Sequence, residues 1–262
     1  RFGSSAQNQG VTSIAINRVD RTVVVEDNGC GLRQRAAPRI LLSIGESEKR
    51  GSESRGFRGV GRLAGLGYCK KLRFETKFAG EIKETVVEWD GIKFRKAIKD
   101  PQYRGTIIDL IEDIATVEKI PSKAGKHEGF FRAYLCGVIR LPHDRLLNEE
   151  IVADYIAEHC PVPFSSEFSQ GKEVELFLRK HTQYKTYDIS IGQDSPMFGD
   201  TDGLRKIYKP FGKYIGEEEI SREKIGTRII ETSGGLNAIW YLDREYSGAI
   251  SKSVGMRGLR AR

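Results

Sequence analysis

The sequence has few of the residues from which metal sites and disulfide frameworks are built. Four cysteines stand far apart without a CxxC pair, and four histidines show no HExxH motif, so neither a zinc site nor a disulfide-rich fold is expected. The longest purely apolar run, residues 133–139, is far shorter than the ~20 residues that span a bilayer, and no signal-peptide pattern opens the chain. We therefore expect a cytoplasmic protein without membrane segments.

The composition is typical of a globular protein. Of 262 residues, 39% are hydrophobic and 30% are charged, with 29 glycines and only 8 prolines, which excludes collagen-like and disordered chains. This length accommodates one large or two modest domains. The proline-rich point Cys160-Pro161-Val162-Pro163 places the expected boundary between a first domain, 1–162, and a second, 163–262.

The formal net charge of +7 is concentrated in two segments. Residues 45–73 contain eight basic and three acidic residues, and the last eleven residues contain four basic residues and no acid. Such runs are either solvated basic surfaces or parts of a site for a polyanion. A triphosphate would suffice as that polyanion. Duplex DNA is a second candidate, although no zinc finger, RNA-recognition signature or basic zipper is present.

Residue patterns predict an α+β fold. Alternating and β-branched residues predict a hairpin of strands 13–17 and 22–26, followed by a helix over 32–43, in which Pro38 implies a kink or a late start, and another helix from about Val60. Strands are predicted at 72–76, 82–89, 92–97 and 106–111, with Asp90-Gly91 as a hairpin turn. Helices are predicted at 130–139, 148–159 and near Ile220, and strands at 174–180, 186–191, 206–214, 228–232 and 237–242.

The first chemical motif is a DxGxG at the end of a predicted strand, formed by Asp27, Gly29 and Gly31. A carboxylate fixed there can accept a hydrogen bond from an exocyclic amine such as that of adenine, and glycines let the base lie against the backbone. The alternative is an ordinary Asp-Asn-Gly turn.

The second motif is a GxxGxG that opens a predicted helix, formed by Gly56, Gly59, Val60 and Gly61. Free N–H groups at a helix start form a phosphate cradle, and the alternative is a surface loop. The third motif is Gly105-Thr106 at the start of a predicted strand. Thr106 is a candidate for a water-mediated contact to the base beside Asp27, or else a simple strand residue.

These three motifs in this order resemble the GHKL ATPase superfamily, which includes gyrase B, the ninety-kilodalton heat-shock chaperones, MutL-type mismatch repair proteins and histidine kinases. The phrases VEDNGCGL, SIGESEK, RGFRGVGRLAGLGYC and GTIIDL are most similar to the chaperone, MutL and MORC branch. The resemblance covers Thr12 to about Leu110. It implies a Bergerat-type α/β sandwich in which Asp27 reads adenine, Gly31 lines the base pocket and residues 45–61 form a lid over the phosphates of ATP.

The later half, ending in IWYLDREYSGAISKSVGMRGLRAR, is similar to the transducer domain of that branch. The resemblance implies a ribosomal-protein-like β-α-β unit that supplies a cation to the γ-phosphate, and that is truncated at the C-terminus in this sequence. Lys252, Arg257 and Arg260 are the candidates, and the sequence does not choose among them. A dimeric clamp that closes on ATP and opens after hydrolysis is the corresponding function.

The sequence departs from the family pattern near its start. Family members carry a Glu that activates water and, four residues later, an Asn that binds Mg²⁺. Aligning Thr12 with the Thr that commonly ends that helix puts Arg1 at the Glu position, Ser5 at the Asn position and Asn8 at a usual Asp. Ser5 and Asn8 remain candidate metal ligands, whereas Arg1 is no general base, because a guanidinium does not deprotonate in proteins.

This departure leaves several functions open. Either the catalytic helix belongs to sequence that precedes Arg1, which we favour, or the chain binds ATP without efficient hydrolysis as a pseudo-ATPase. A nucleic-acid-binding protein is the third hypothesis. The expected ligands are ATP or ADP with Mg²⁺, and the expected partners are a second copy of the chain and either a protein client or DNA.

Overall fold

The computed structural model of the protein describes residues 10–43, 61–140, 142, 144–168, 171–182, 184–193 and 203–210, and the backbone of 228–231 and 237–240. The chain divides into two compact units, one of Arg1–Val152 with Asp188–Lys206 and one of Ala153–Tyr187 with Ile207–Arg262. The boundary after residue 162 stays a prediction.

The first unit is built on one eight-stranded sheet. Its spatial order is β5-β4-β3-β6-β2-β1-β7-β8. All neighbours are antiparallel except β1 and β7, which are parallel. The strands are β1 (Val11–Asn17), β2 (Thr22–Asp27), β3 (Cys69–Lys77), β4 (Lys83–Asp90), β5 (Ala115–Pro121), β6 (Phe130–Val138), β7 (Asp188–Gly192) and β8 (Arg205–Lys206).

The β1–β2 hairpin confirms the first predicted element. Ile14 lies opposite Val25 and Ile16 opposite Val23, so these four β-branched residues share one face of the sheet. Arg21 in the connecting turn has a positive φ of 53°, a backbone conformation typical of tight turns. The hairpin ends at Asp27, which places the DxGxG motif at the end of a central strand.

Helices cover one face of this sheet. They are α1 (Ala37–Leu42), a 3₁₀ helix (Gly61–Gly67), α2 (Gly91–Lys99) and α3 (Ile107–Ile114). Between helices and sheet lies a core that includes Leu41, Leu66, Phe74, Trp89 and Ile114, all at most 3% exposed. This two-layer arrangement is the α+β class that the sequence predicts.

The opposite face of the central strands carries a ladder of charged residues. Arg132 on β6 pairs with Glu26 at 2.6 Å and lies 3.6 Å from Glu75 on β3. Glu75 also pairs with Arg73 at 2.7 Å and accepts a hydrogen bond from the Tyr134 hydroxyl at 2.9 Å. Burial and the neighbouring Glu75 carboxylate raise the pKa of Tyr134 to about 12. Opposite charges on adjacent strands therefore hold the centre of the sheet together on this face.

Two predicted strands are helices instead. Residues 92–97 belong to α2, because the Asp90 carboxylate caps that helix by accepting hydrogen bonds from the amides of Ile92 at 2.8 Å and Lys93 at 2.9 Å. The predicted Asp90-Gly91 hairpin turn was therefore wrong, since Asp serves equally well as a helix cap. Residues 107–111 belong to α3, which Thr106 opens in a capping box with Asp109.

In two further segments the secondary structure is the opposite of the one predicted. Residues 130–138 form β6, which lies between β2 and β3 and is hydrogen-bonded on both sides, whereas the sequence predicted a helix there. Aromatic and apolar residues lie on both faces of this strand, so it lacks the strict polar–apolar alternation that identifies a half-exposed strand. Residues 174–180 lie within helix α5 (Gly171–His181) rather than in a strand.

Helix α4 (Glu149–His159) confirms the helix predicted there. The second unit contains α5 and a two-stranded antiparallel sheet of β9 (Arg228–Glu231) and β10 (Asn237–Trp240). These two strands confirm the strands predicted over 228–232 and 237–242. The Lys209 ammonium of this unit donates to the carbonyl oxygen of Ala157 at 2.9 Å. The predicted helix near Ile220 lies outside the described residues. Across the described part of the chain, every helix is too short or too polar to cross a membrane.

Candidate functional site

Asp27 is the last residue of β2 and begins a tight turn. Its Oδ1 accepts a hydrogen bond from the amide of Gly29 at 2.9 Å, which fixes the carboxylate against its own turn. Within the described residues, its Oδ2 accepts no hydrogen bond. Asp27 lies opposite Phe131 on β6, whose ring packs against the core beneath the helices, so the carboxylate is on the helix-covered face of the sheet.

The surroundings of Asp27 suit a carboxylate that accepts a hydrogen bond from a ligand. Partial burial raises the pKa of this carboxyl above its ordinary value, while the hydrogen bond from the Gly29 amide acts in the opposite direction. Burial strengthens any hydrogen bond that the free oxygen makes to an incoming N–H group, because competing water is reduced. The arrangement is therefore that of a directional acceptor beside a glycine turn.

Neighbouring strands hold the turn at several points. Asn28 is bound to the start of β1 by two hydrogen bonds. Its side-chain Oδ1 accepts one from the backbone amide of Val11 at 2.8 Å, and its backbone amide donates one to the Val11 carbonyl oxygen at 3.2 Å. The Cys30 carbonyl accepts from the Ala79 amide at 3.2 Å. The Leu32 amide donates to the hydroxyl oxygen of Thr76 at 2.9 Å. The turn is thus anchored to the strands on both sides of it.

Gly31 is a position at which only glycine fits. Its φ is +67°, and a Cβ there would overlap the backbone carbonyl of Lys77 and lie 2.8 Å from the carbonyl oxygen of Phe130. The glycine that the family resemblance assigns to the base pocket is therefore required first for the close approach of two backbones.

Gly129 is a site residue that the sequence reasoning missed. It precedes β6, and a Cβ on it would lie 2.6 Å from the Cys30 carbonyl oxygen and 2.8 Å from that of Gly29. The available signal was a glycine directly before the aromatic run 130–131. That signal was hidden because the run was interpreted as the start of a helix.

The phosphate motif is only partly described. Gly56, Gly59 and Val60 lie outside the described residues. Gly61 begins the 3₁₀ helix Gly61–Gly67, is exposed, and has open space where a Cβ would be. The structure thus places no requirement for glycine at this position.

Arg62 follows that motif and is a second residue not singled out from the sequence. Its guanidinium donates to the carbonyl oxygen and the hydroxyl of Ser43, where α1 ends. It therefore joins the two described ends of the chain on either side of residues 44–60. Burial lowers the pKa of Arg62, and its Nε is buried without a hydrogen-bond partner in the described residues. Across the same residues no carboxylate pairs with it.

Thr106 is not brought to Asp27. It is the N-cap of α3, and its hydroxyl and amide bond to the Asp109 carboxylate at 2.8 Å and 2.7 Å. Helix α3 packs against α2 and the edge strand β5, and β5 is four strand positions from β2, or about 19 Å at the usual strand spacing. The strand that borders Asp27 begins instead at Gly129-Phe130.

The remaining candidates, Ser5, Asn8, Lys252, Arg257 and Arg260, lie outside the described residues. Across the part of the chain that is described, no three His, Cys, Asp or Glu side chains lie close enough to hold a metal ion. Asp27 thus offers a carboxylate acceptor beside a glycine turn, and no described cluster fits Mg²⁺.

The part of the chain that contains this turn matches a known protein family. A sequence model of the histidine kinase-, DNA gyrase B- and HSP90-like ATPases matches residues 4–119. The matched region contains β1 to β4, helices α1 to α3 and the whole Asp27–Gly31 turn. No curated protein matches the chain.

Proposed function

We propose that the chain binds ATP with the adenine base against the Asp27–Gly31 turn, because residues 4–119 match the sequence model of the histidine kinase-, DNA gyrase B- and HSP90-like ATPases. The observation that carries this proposal is the Asp27 carboxylate itself. It is partly buried, one oxygen is held by the Gly29 amide at 2.9 Å, and the other is available to accept from the exocyclic amine of adenine.

The triphosphate would extend toward the glycine-rich segment. The match to the second motif, Gly56 to Gly61, supports a phosphate cradle, and residues 45–61 would act as the lid. Arg62, directly after the motif, adds a partly buried cation without a carboxylate partner in the described residues. A triphosphate would supply the missing negative charge.

ATP hydrolysis and Mg²⁺ binding extend the same proposal beyond nucleotide binding. Mg²⁺ bound to a triphosphate neutralises charge on the phosphate oxygens; Ser5 and Asn8 are the candidate ligands in this sequence. We assign no step to that metal, because no described cluster of residues fits it. A dimeric clamp acting on a protein client or on DNA would be the wider role, and a pseudo-ATPase that only binds ATP is the alternative.

The deciding experiment is calorimetric titration of the protein with ATP and with ADP in the presence of Mg²⁺, followed by measurement of phosphate release. Binding of both nucleotides, abolished or strongly weakened in Asp27→Asn and retained in Asp113→Asn, would support the site. Asp113 is an exposed aspartate on α3, near the distant edge of the sheet, and is paired with Lys93, so its variant controls for loss of one carboxylate. If the parent binds neither nucleotide, the proposal fails. Binding without phosphate release would favour the pseudo-ATPase.

The C-terminal cations have a separate test. If one of Lys252, Arg257 and Arg260 reaches the γ-phosphate, its replacement by Ala should weaken binding of a non-hydrolysable ATP analogue and leave ADP affinity nearly unchanged, because ADP lacks that phosphate. Small and equal effects on both nucleotides that fade with salt would indicate solvated surface charge instead.

A further inference from the structure

Lys77 is a buried cation at the end of β3. With 1% of its surface exposed, it is the least exposed charged residue in the described part of the chain. Its ammonium donates to the carbonyl oxygens of Gly125 at 2.8 Å, Lys126 at 3.3 Å and Glu128 at 2.6 Å. Three donors therefore meet three acceptors, and the buried group is fully satisfied.

The partners of this ammonium are unusual. Buried lysines normally pair with a carboxylate, whereas within the described residues Nζ of Lys77 bonds only to carbonyl groups of one loop, 125–128. A second hydrogen bond ties the same loop to the chain beyond β3, from the Gly80 amide to the Lys126 carbonyl at 2.7 Å. Lys77 thus holds this loop against the end of β3 by hydrogen bonds and forms no ion pair with the described residues.

The loop that Lys77 holds continues directly into the candidate site. Gly129 follows Glu128, and it approaches the carbonyl groups of Gly29 and Cys30 so closely that a Cβ would lie 2.8 Å and 2.6 Å from their oxygens. On the other side of the turn, Gly31 packs against the backbone carbonyl of Lys77 itself. The turn is therefore clamped between the backbone of Lys77 and the loop that its side chain holds.

We infer that Lys77 is a positioning residue for base recognition, which sets the place of the Asp27 carboxylate through residues 125–129 and the turn after β2. This inference rests on the proposed ATP binding. Lys77 lies on the face of β3 that carries Arg73 and Glu75, whereas Asp27 lies on the helix-covered face. Its influence on the nucleotide is thus exerted through backbone packing.

Base selectivity distinguishes this role from general stabilisation. Adenine presents an amine donor where guanine presents a carbonyl acceptor, so a correctly placed Asp27 carboxylate favours ATP over GTP. Contacts to the triphosphate act equally on both nucleotides. A displaced Asp27 should therefore reduce affinity for ATP and leave affinity for GTP almost unchanged.

The test compares ATP and GTP affinities of the parent and of Lys77→Met by calorimetry. We expect the preference for ATP to fall by about tenfold, the effect of one weakened charge-assisted hydrogen bond. Lys126→Met is the matched control, because Lys126 is exposed on the same loop and its side chain makes no hydrogen bond to the described residues. An unchanged ratio of the two affinities in a folded Lys77→Met protein would overturn the inference.

A second variant keeps the inference testable if Lys77→Met does not fold. Gly129→Ala should displace the turn from the loop side and lower the same ratio, whereas Gly67→Ala, whose Cβ would have no neighbour within 4 Å, should not. In the parent, hydrogen exchange at residues 125–129 should slow when ATP binds, and an unchanged rate there would count against the coupling. If the parent binds neither nucleotide, the proposed function is wrong. If it binds ATP and both variants keep the ratio, only the role of Lys77 is refuted.

Discussion

The hydroxyl of Thr76 accepts a hydrogen bond from the Leu32 amide at 2.9 Å and donates one to the Phe130 carbonyl at 3.0 Å. With 1% of its surface exposed, this one side chain joins the turn after β2 to the start of β6. Its loss would remove one hydrogen bond from each of these two backbone groups.

Thr76→Val should therefore lower the free energy of unfolding by about 1–3 kcal/mol, because it keeps the side-chain shape and removes both hydrogen bonds of the hydroxyl. Thr76→Ser keeps the hydroxyl and should cost only about 1 kcal/mol for the lost methyl group. Urea denaturation of the three proteins measures the difference. Equal stability of the Val and Ser variants would show that the bridge is dispensable.

Asp27→Asn should weaken ATP binding by roughly ten- to a hundredfold, the value of a charge-assisted hydrogen bond of about 1.5–3 kcal/mol. The amide still accepts from Gly29, so the turn should remain folded. Calorimetry for affinity and circular dichroism for fold separate the two effects. Parent-like ATP affinity in this variant would remove Asp27 from the site.

The raised pKa of Asp27 adds a pH dependence to the same prediction. Nucleotide affinity of the parent should fall as pH drops through this raised pKa, because the protonated carboxyl loses its charged acceptor. For folding the sign is opposite. The contribution of Asp27 to stability is fully present below its ordinary pKa and is lost as pH rises through the raised one, so Asp27→Asn should be at least as stable as the parent at neutral pH.

Gly31→Ala should destabilise the fold by about 3 kcal/mol or more, since it combines a positive φ with overlap between Cβ and a backbone carbonyl. Gly67→Ala, with open space around its would-be Cβ, serves as the control and should change stability by less than about 1 kcal/mol. Thermal denaturation of both variants provides the comparison. A Gly31→Ala protein as stable as its control would contradict the close packing of the turn.

The sequence predicts those parts of the site that local pattern determines. The β1–β2 hairpin follows from alternating β-branched residues, and Asp27 follows from its place directly after them. Gly129 and Lys77 could not be found in this way, because their importance depends on which strands become neighbours. The order β3-β6-β2 joins segments far apart in the chain.

Two of the wrong predictions also have a local cause. Asp90-Gly91 has the composition of a hairpin turn, yet the same Asp side chain caps α2. Gly105-Thr106 matches a family motif in letters, yet Thr106 caps α3 at the distant edge of the sheet. A short motif of turn residues does not distinguish a strand entry from a helix entry, since Asp and Thr favour both.

Arg62→Gln should weaken ATP binding more than adenosine binding, because Arg62 follows the phosphate motif and has only Ser43 as a partner in the described residues. Competition titrations with ATP and adenosine measure this difference. Lys70→Gln, which removes an exposed charge from the same basic segment, should affect the two ligands little. Equal losses for ATP and adenosine in Arg62→Gln would assign the residue to structure alone.

The parallel pairing of β1 with β7 determines where the chain can be truncated without exposing a strand edge. Residues 188–192 hydrogen-bond to the strand that opens the described chain, so a fragment that stops at residue 162 leaves the outer edge of β1 bare. That edge runs along VTSIAIN, an apolar strand with free N–H and C=O groups and no charged residue to prevent pairing with other chains. Such a fragment should aggregate, whereas one that extends through β8 keeps β1 enclosed.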